Sequence, residues 1–248
     1  MKPKAKDFLL ALNIVLGMLE KINIYFQVKM TMKKLVLHSD QINGKTQVDE
    51  ASLKLFAFKE PKIAYIPSQS DFERKYFNQK VEWYKQFGIT DLLYFDVDKE
   101  YDEKKNDELF ACDAIFLSGG NTYYFLNSLK KREFLPKLRE YVRKGGILIG
   151  VSAGSIIMSK TVDITTLHDE NTIGLKGYTA LGLVDFEFFP HLDHNIKQYL
   201  EDLKKYSINK RNSVIYACKD GDGIIVNDHE IKFFGEVLKI KNGEISRV

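Results

Sequence analysis

Cysteine is scarce in this sequence. The 248 residues contain only Cys112 and Cys218, which lie far apart and match no metal-binding or redox spacing. This argues against a disulfide framework or a zinc ribbon, and it predicts a reducing, cytoplasmic setting. The chain also lacks internal repeats and low-complexity tracts. Its composition, 44% apolar and 29% charged, is that of a globular protein rather than a disordered, collagen-like or coiled-coil chain.

An excess of charge of one sign is also missing. The net charge is +3, and the lysines of residues 1–31 account for all of it, so that the rest of the chain balances to zero. A body with interspersed charges of both signs offers no broad basic face, and binding to nucleic acid is therefore not predicted.

No apolar run is long enough for a membrane span. The run Phe8–Leu19 is too short to cross a bilayer, and Asn13 interrupts it. Its basic flank is similar to the start of a secretory signal, but no small-x-small cleavage site follows. We expect residues 1–31 to be an extension of uncertain role, either an appendage or a packed extra helix. A signal or a membrane-surface anchor is the alternative.

From residue 32 onward, short apolar runs alternate with amphipathic stretches. The apolar runs are typical of strands buried on both faces: Leu35–His38, Ile63–Ile66, Asp91–Phe95, Ala114–Leu117 and Ile147–Gly150. Helical patterns cover Asp71–Phe87, Asn121–Leu129 and Phe134–Lys144. This alternation predicts an α/β fold with a doubly wound, mainly parallel sheet.

The pattern changes after Ser213. Short apolar runs are separated there by turn signals such as Asp220-Gly221-Asp222-Gly223 and Asn242-Gly243. These predict C-terminal antiparallel hairpins that close one edge of the sheet. Because no linker interrupts the pattern, residues 32–248 are expected to form a single α/β domain.

The strongest chemical signal is Gly150-Val151-Ser152-Ala153-Gly154. It matches G-x-S-x-G, follows an apolar strand and precedes a helix-compatible segment. A serine on such a sharp turn stands clear at the carboxyl end of the sheet, where open α/β sheets bind ligands. Ser152 is therefore the candidate nucleophile.

A serine nucleophile needs a base and a carboxylate that orients the base. His191 leaves the buried run Leu183–Phe189 at a corner that Pro190 makes rigid, and it is the candidate base. Asp169 and Glu170 are both candidates for the carboxylate, and local sequence does not choose between them. The neighbouring His168, Asp193 and His194 show no metal-ligand spacing, so neither a metal nor a cofactor is predicted.

The segment Ser118-Gly119-Gly120-Asn121 ends one predicted strand and opens a helix. Paired glycines allow backbone N–H groups to approach a ligand closely. An N–H of Gly119 or Gly120, together with that of Ala153, would form an oxyanion hole. Asn121 is a candidate for substrate binding, with a helix cap as its structural alternative.

Four motifs in this order resemble the dipeptidase E and cyanophycinase family of serine peptidases. They are Ser118-Gly119-Gly120-Asn121-Thr122, Ile149-Gly150-Val151-Ser152-Ala153-Gly154-Ser155, Ala180-Leu181-Gly182-Leu183-Val184-Asp185-Phe186 and Pro190-His191. The resemblance runs from about residue 32 to the C-terminus. It implies a class I glutamine-amidotransferase-like fold, with Ser152 as nucleophile and His191 as base. It also implies Asp169 as the third triad residue, with Glu170 as the alternative.

The sequence departs from this family after the Pro-His pair. The aspartate-specific members carry a longer loop there with an arginine that binds the acidic side chain of the substrate. In this sequence, the first arginine after Pro190-His191 is Arg211. Lys197, Lys210 or Arg211 are the substitutes that the sequence offers, although a lysine does not reproduce bidentate binding of a carboxylate.

The sequence thus predicts a serine peptidase that hydrolyses amide bonds of short peptides through an acyl-enzyme. An esterase of the α/β-hydrolase type and a non-catalytic ligand-binding domain of the same fold are the alternatives. A homodimer is an expectation by analogy with similar folds.

Overall fold

The computed structural model describes residues 33–44, 46–57, 60–210 and 213–248. The predicted extension over residues 1–31 and Arg211 lie outside them. The strands are β1 (Lys34–His38), β2 (Ile63–Ile66), β3 (Leu92–Tyr94), β4 (Ala114–Leu117), β5 (Ile147–Val151), β6 (Glu187–Phe189), β7 (Ile215–Ala217), β8 (Gly223–Asn227), β9 (Glu230–Phe234), β10 (Leu238–Lys241) and β11 (Glu244–Arg247). The α-helices are α1 (Gln47–Leu53), α2 (Lys75–Lys85), α3 (Asn106–Phe110), α4 (Thr122–Lys131), α5 (Phe134–Arg143), α6 (Ala153–Ile156) and α7 (Ile196–Asn209). Short 3₁₀ helices cover Glu103–Lys105, Asp163–Leu167 and Leu192–Asn195.

The central sheet has seven strands in the order β3-β2-β4-β5-β1-β8-β9. The first five pair in parallel, whereas β8 runs antiparallel to β1 and β9 antiparallel to β8. The prediction of an α/β fold with a mainly parallel sheet is confirmed. The parallel strands end at one edge of the sheet, which brings the segments that follow β1, β2, β4 and β5 together.

Alternate residues of the central strands pack into two separate cores, one on each face of the sheet. On β4, for example, Ile115 and Leu117 belong to the larger core, and Ala114 and Phe116 belong to the smaller one. Burial on both faces explains why these strands are apolar throughout.

A second sheet has the order β11-β10-β7-β6. Its β10 pairs antiparallel with β11 and β7, in keeping with the predicted hairpins, but β7 pairs in parallel with β6. The C-terminal strands therefore divide between two sheets, since β8 and β9 extend the central sheet instead. The segment between β7 and β8 connects the two sheets.

Helix α2 begins later than the predicted start at Asp71. The Asp71 carboxylate instead caps the helix, because it accepts hydrogen bonds from the backbone N–H groups of Lys75, Tyr76 and Phe77 at 2.8–3.0 Å. Among the described residues, no helix combines the length and the hydropathy that a membrane crossing requires.

Candidate active site

Ser152 lies on a strained turn between β5 and α6. Its backbone has φ 49° and ψ −110°, a conformation that is rare for a residue other than glycine. The turn is held by the Ser152 N–H, which donates to the His38 carbonyl at the end of β1, 3.0 Å away. The same carbonyl accepts a hydrogen bond from Ser155 Oγ at 2.8 Å. Strand β1 therefore fixes the position of the serine.

The two glycines of the motif have no room for a side chain. A Cβ on Gly150 would lie 2.5 Å from the Ser155 nitrogen, and one on Gly154 would lie 2.2 Å from the Leu117 carbonyl oxygen. Both obstacles are backbone atoms that cannot move aside. The two glycines of G-x-S-x-G are thus required by the close packing of the turn against β4 and against itself.

The His191 ring contacts both Ser152 and a carboxylate. Its Nε2 lies 2.8 Å from Ser152 Oγ, and its Nδ1 lies 2.7 Å from Asp220 Oδ1. The backbone of His191 is also in the left-handed region, with φ 56°, and its N–H donates to Ser39 Oγ at 2.7 Å. A serine, an imidazole and a carboxylate therefore form one continuous hydrogen-bonded chain.

Asp220 reaches His191 because β6 and β7 are parallel neighbours. His191 follows β6 and Asp220 follows β7, so the two residues leave the second sheet at the same edge. Burial opposes ionisation of the Asp220 carboxyl, but hydrogen bonds from His191 and His194 outweigh it and lower the pKa below its ordinary value. The carboxylate that faces His191 is thus held in its charged form.

Asp169, which the resemblance assigns to the triad, lies elsewhere. Its Oδ2 accepts the backbone N–H of Thr122 at 2.8 Å, and its Oδ1 is 3.7 Å from His168 Nδ1. It forms no hydrogen bond with His191, which uses Asp220 instead. The alternative residue, Glu170, is exposed, and its backbone carbonyl accepts a hydrogen bond from Asn121 Nδ2 at 3.0 Å. The geometry therefore favours Asp220 over Asp169 and Glu170 as the carboxylate partner of His191.

Sequence reasoning missed Asp220 for an identifiable reason. Asp220-Gly221-Asp222-Gly223 has the composition of a turn, and it was expected to join two antiparallel strands. The available signal was that Asp220 lies two residues after the apolar run Val214–Cys218, just as His191 lies two residues after the run Leu183–Phe189. The missing information was that these two runs pair in parallel, which is a long-range property.

The segment from Ser118 to Asn121 lies beside Ser152. A Cβ placed on Gly119 would be 3.5 Å from the Ser152 Cβ, and one on Gly120, whose φ is 134°, would be 2.1 Å from Ser68 Oγ. Within the described parts of the chain, no acceptor bonds the N–H groups of Gly119, Gly120 or Ala153. These three predicted donors are thus left for another partner.

Asn121 is occupied by structural contacts. Its Oδ1 accepts the backbone N–H of Tyr124 at 3.0 Å and caps α4, while its Nδ2 donates to the Glu170 carbonyl. Together with the bond between Asp169 and Thr122, this contact fastens the segment 118–122 to the segment 169–170. The geometry favours the cap over the predicted substrate contact.

Ser152 and His191 line a cleft of about 1200 Å³ at the carboxyl edge of the central sheet. Its wall includes Gly119, Gly120 and two lysines of α2, Lys75 and Lys80. Neither Lys197 nor Lys210 belongs to this lining. Lys210 is instead paired with Asp163. The lysines that face the cleft are therefore different from those the sequence suggested as substitutes for the missing arginine.

Lys80 is mostly enclosed by the cleft wall. Its Nζ donates to Gln41 Oε1 and lies 5.0 Å and 5.2 Å from the ring centres of Phe116 and Trp83. Burial lowers the pKa of Lys80 to about 8, although the charges of Asp40 and Asp49 act against the shift.

One cluster of potential metal ligands occurs in the described part of the chain, formed by His191, His194 and Asp220. The two imidazoles are stacked with 4.7 Å between ring centres and 21° between ring planes. Their in-plane lone pairs are thus nearly parallel, and one ion cannot lie in both planes. Both Asp220 oxygens also accept hydrogen bonds already. The cluster suits a hydrogen-bond network better than a metal.

Comparison with known proteins identifies the family. A model of peptidase family S51 matches residues 35–234, which include Ser152, His191 and Asp220. The chain belongs to peptidase family S51. The match covers every strand from β2 to β9 and therefore most of the central sheet and part of the second one.

Individual relatives support the S51 assignment. Peptidase E of Shewanella denitrificans is 26% identical over 156 residues, covering 60% of this chain and 66% of the relative. An uncharacterized peptidase of Listeria innocua is 27% identical over 192 residues, covering 73% of this chain and 86% of the relative. For several relatives, the match covers less than two thirds of their length, 58% to 66%.

The fold of the S51 chain also matches solved structures. The crystal structure of a peptidase from an acI-B1 Actinobacterium aligns with a TM-score of 0.67 at 17% identity, covering 90% of this chain and 96% of that one. At this identity the likeness concerns the fold alone.

Proposed function

We propose that this protein is a serine peptidase that hydrolyses amide bonds of short peptides. The observation that carries the proposal is the chain of hydrogen bonds from Ser152 Oγ to His191 Nε2 and from His191 Nδ1 to Asp220. Membership of peptidase family S51 supports it. The open cleft beside Ser152 supports access of a peptide to the serine.

In the first half of the reaction, Ser152 Oγ attacks the peptide carbonyl carbon while His191 Nε2 takes its proton. Collapse of the tetrahedral intermediate breaks the C–N bond, and the same proton passes from His191 to the leaving amine. Asp220 keeps the proton on Nδ1, so that Nε2 is free to accept, and it stabilises the imidazolium. In the second half, water attacks the acyl-enzyme, its proton passes through His191 to Ser152, and the acid is released.

The negative charge on the carbonyl oxygen would be stabilised by the N–H group of Ala153 and by that of Gly119 or Gly120. These donors have no internal acceptor in the described structure, so each is available to bond the oxyanion. Asp169 and Asn121 would contribute indirectly, because they fasten the segment that carries the two glycines.

The test is hydrolysis of a dipeptide panel with aspartyl, glutamyl, alanyl and lysyl N-termini, beside p-nitrophenyl esters. We expect the wild type to cleave at least one dipeptide and Ser152→Ala to lose about 10⁴-fold or more in kcat. Ser246→Ala is the matched control, since Ser246 is exposed on β11, and it should retain full activity.

A serine-reactive phosphonate provides a second measurement. The activated Ser152 should form an adduct in the wild type and in Ser246→Ala, but not in Ser152→Ala, as read by mass spectrometry. Turnover of esters alone would favour the esterase. Failure of both turnover and labelling would favour a ligand-binding domain.

A further inference from the structure

Asp220 is shared between two histidines. Its Oδ1 lies 2.7 Å from His191 Nδ1, and its Oδ2 lies 2.8 Å from His194 Nε2. Ser39 Oγ adds a contact of 3.1 Å to Oδ1. Each carboxylate oxygen therefore has an imidazole partner, and only one of these imidazoles takes part in the proposed reaction.

The chain geometry explains how His194 reaches this carboxylate. The 3₁₀ helix Leu192–Asn195 starts immediately after His191, and the His194 N–H donates to the His191 carbonyl at 3.0 Å. This turn stacks the two rings and aims both at Asp220. In the same turn, Asp193 Oδ1 accepts the backbone N–H of Asp220 at 2.9 Å. The residues from His191 to His194 thus hold Asp220 at its side chain and at its backbone.

We propose that His194 is a positioning residue for the reaction proposed above. Its Nε2–H holds Asp220 Oδ2, which leaves Oδ1 directed at His191 Nδ1. A carboxylate bound through one oxygen only can rotate about its Cβ–Cγ bond, whereas one bound at both oxygens is fixed. Because the orientation of His191 depends on this carboxylate, His194 acts on Ser152 through two intervening residues.

His194 also brings a titratable group next to the base. Its ring is stacked on that of His191 with 4.7 Å between ring centres, and its side chain is 56% exposed. When protonated, it would place a positive charge over the His191 ring and oppose protonation of His191. The other titratable groups here are Asp220, Asp193 and His168, which follows the 3₁₀ helix Asp163–Leu167 and whose pKa is lowered by burial. The acid limb of the activity profile should therefore depend on residue 194.

Two substitutions separate these effects. His194→Phe keeps a ring that can stack on His191 but removes the donor, and His194→Gln keeps an N–H at similar reach but removes the titratable charge. We expect His194→Phe to lower kcat about tenfold, the effect of one hydrogen bond of ordinary strength, with little change in KM. His194→Gln should recover most of kcat. In both variants the acid limb of the plot of kcat against pH should move to higher pH.

The control is His229→Phe, because His229 is an exposed turn histidine between β8 and β9. It should match the wild type in kcat and in pH profile. If His194→Phe also matches the wild type in both, His194 has no positioning role and the proposal is wrong. Equal loss of kcat in the Phe and Gln variants would also contradict it, because the donor would then not matter.

A measurement without substrate keeps this inference separate from the proposed function. The hydrogen-bonded Nδ1–H of His191 should give a downfield proton signal by NMR in the wild type, in His194→Gln and in His229→Phe. The signal should broaden or shift upfield in His194→Phe, because Asp220 then loses its partner at Oδ2 and is held through Oδ1 alone. If the wild type hydrolyses no peptide but this pattern appears, the peptidase proposal fails while the role of His194 in holding Asp220 stands.

Discussion

The backbones of Ser152 and His191 share an unusual feature, since both lie in the left-handed region with φ of 49° and 56°. Each is anchored by one of two consecutive residues at the end of β1. The His38 carbonyl accepts the Ser152 N–H, and Ser39 Oγ accepts the His191 N–H. Ser39 also contacts Asp220. His38 and Ser39 thus hold Ser152, His191 and Asp220 in place. Their hydrogen bonds offset the backbone strain at Ser152 and His191.

The placement of Asp220 leads to a prediction at the same scale. Asp220→Asn can turn its amide N–H towards His191 Nδ1 and favour the wrong imidazole tautomer, so we expect kcat to fall by about 10³–10⁴-fold. Asp169→Asn is the matched comparison, because its amide oxygen can still accept the Thr122 N–H. We expect it to stay within about tenfold of the wild type. Dipeptide turnover measures both.

The opposite order of kcat losses would support Asp169, the residue that the family resemblance implies, as the third triad residue. If Asp169→Asn lost about 10³-fold or more while Asp220→Asn remained active, Asp169 would be the functional carboxylate. Circular dichroism of both variants checks that each is folded, so that a loss of activity reports on the site.

At the scale of elements, the sequence predicts those features that depend on local pattern. The strands β1 to β5 and helices α2, α4 and α5 were predicted with shifts of a few residues at their ends, because burial on both faces makes the strands apolar throughout. The glycines beside Ser152 also identified its turn. The parallel pairing of β6 with β7 was not predictable, since nothing within either strand encodes its partner. The carboxylate that depends on this pairing was missed for the same reason.

Helix α2 carries a lysine that should make stability depend on pH. The pKa of Lys80 is lowered by burial from 10.5 to about 8, so between these values the native protein has released a proton that the unfolded chain retains. The unfolded state then binds more protons, and the contribution of Lys80 to stability rises as the pH increases from about 8 to 10.5. Below pH 8 the full cost of its buried charge is present.

Lys80→Met removes the amino group and should weaken the dependence of stability on pH. Relative to the wild type, its free energy of unfolding should fall by on the order of 1–3 kcal/mol between pH 7 and pH 10.5, as the advantage of an uncharged residue disappears. Urea unfolding at several pH values measures this difference. Lys85→Met, on the exposed side of the same helix, is the control and should follow the wild type. If the free energy of unfolding of Lys80→Met differs from that of the wild type by the same amount at every pH, burial does not lower the pKa of Lys80.

At the scale of the whole molecule, the candidate site is shared between two sheets. Ser152 follows a strand of the central sheet, whereas His191 and Asp220 follow strands of the second sheet. The residues after Asp220 lead directly into β8, which pairs with β1 in the central sheet. Because β1 also anchors Ser152 and His191, the second sheet cannot separate from the central one without breaking the site. That residues 32–248 form a single domain is still a prediction. The connection between the two sheets makes it testable by unfolding.

Unfolding should therefore occur in one transition, whichever sheet is observed. Trp83, the single tryptophan, reports on α2 and the central sheet, and buried Cys218 follows β7 in the second sheet. In a Cys112→Ala background, we expect tryptophan fluorescence, reactivity of the Cys218 thiol and peptidase activity to change at the same urea concentration. Exposure of Cys218 at a lower concentration than the fluorescence change would show that the second sheet opens by itself. Activity would then be lost by local unfolding of the second sheet, because His191 and Asp220 would both move away from Ser152.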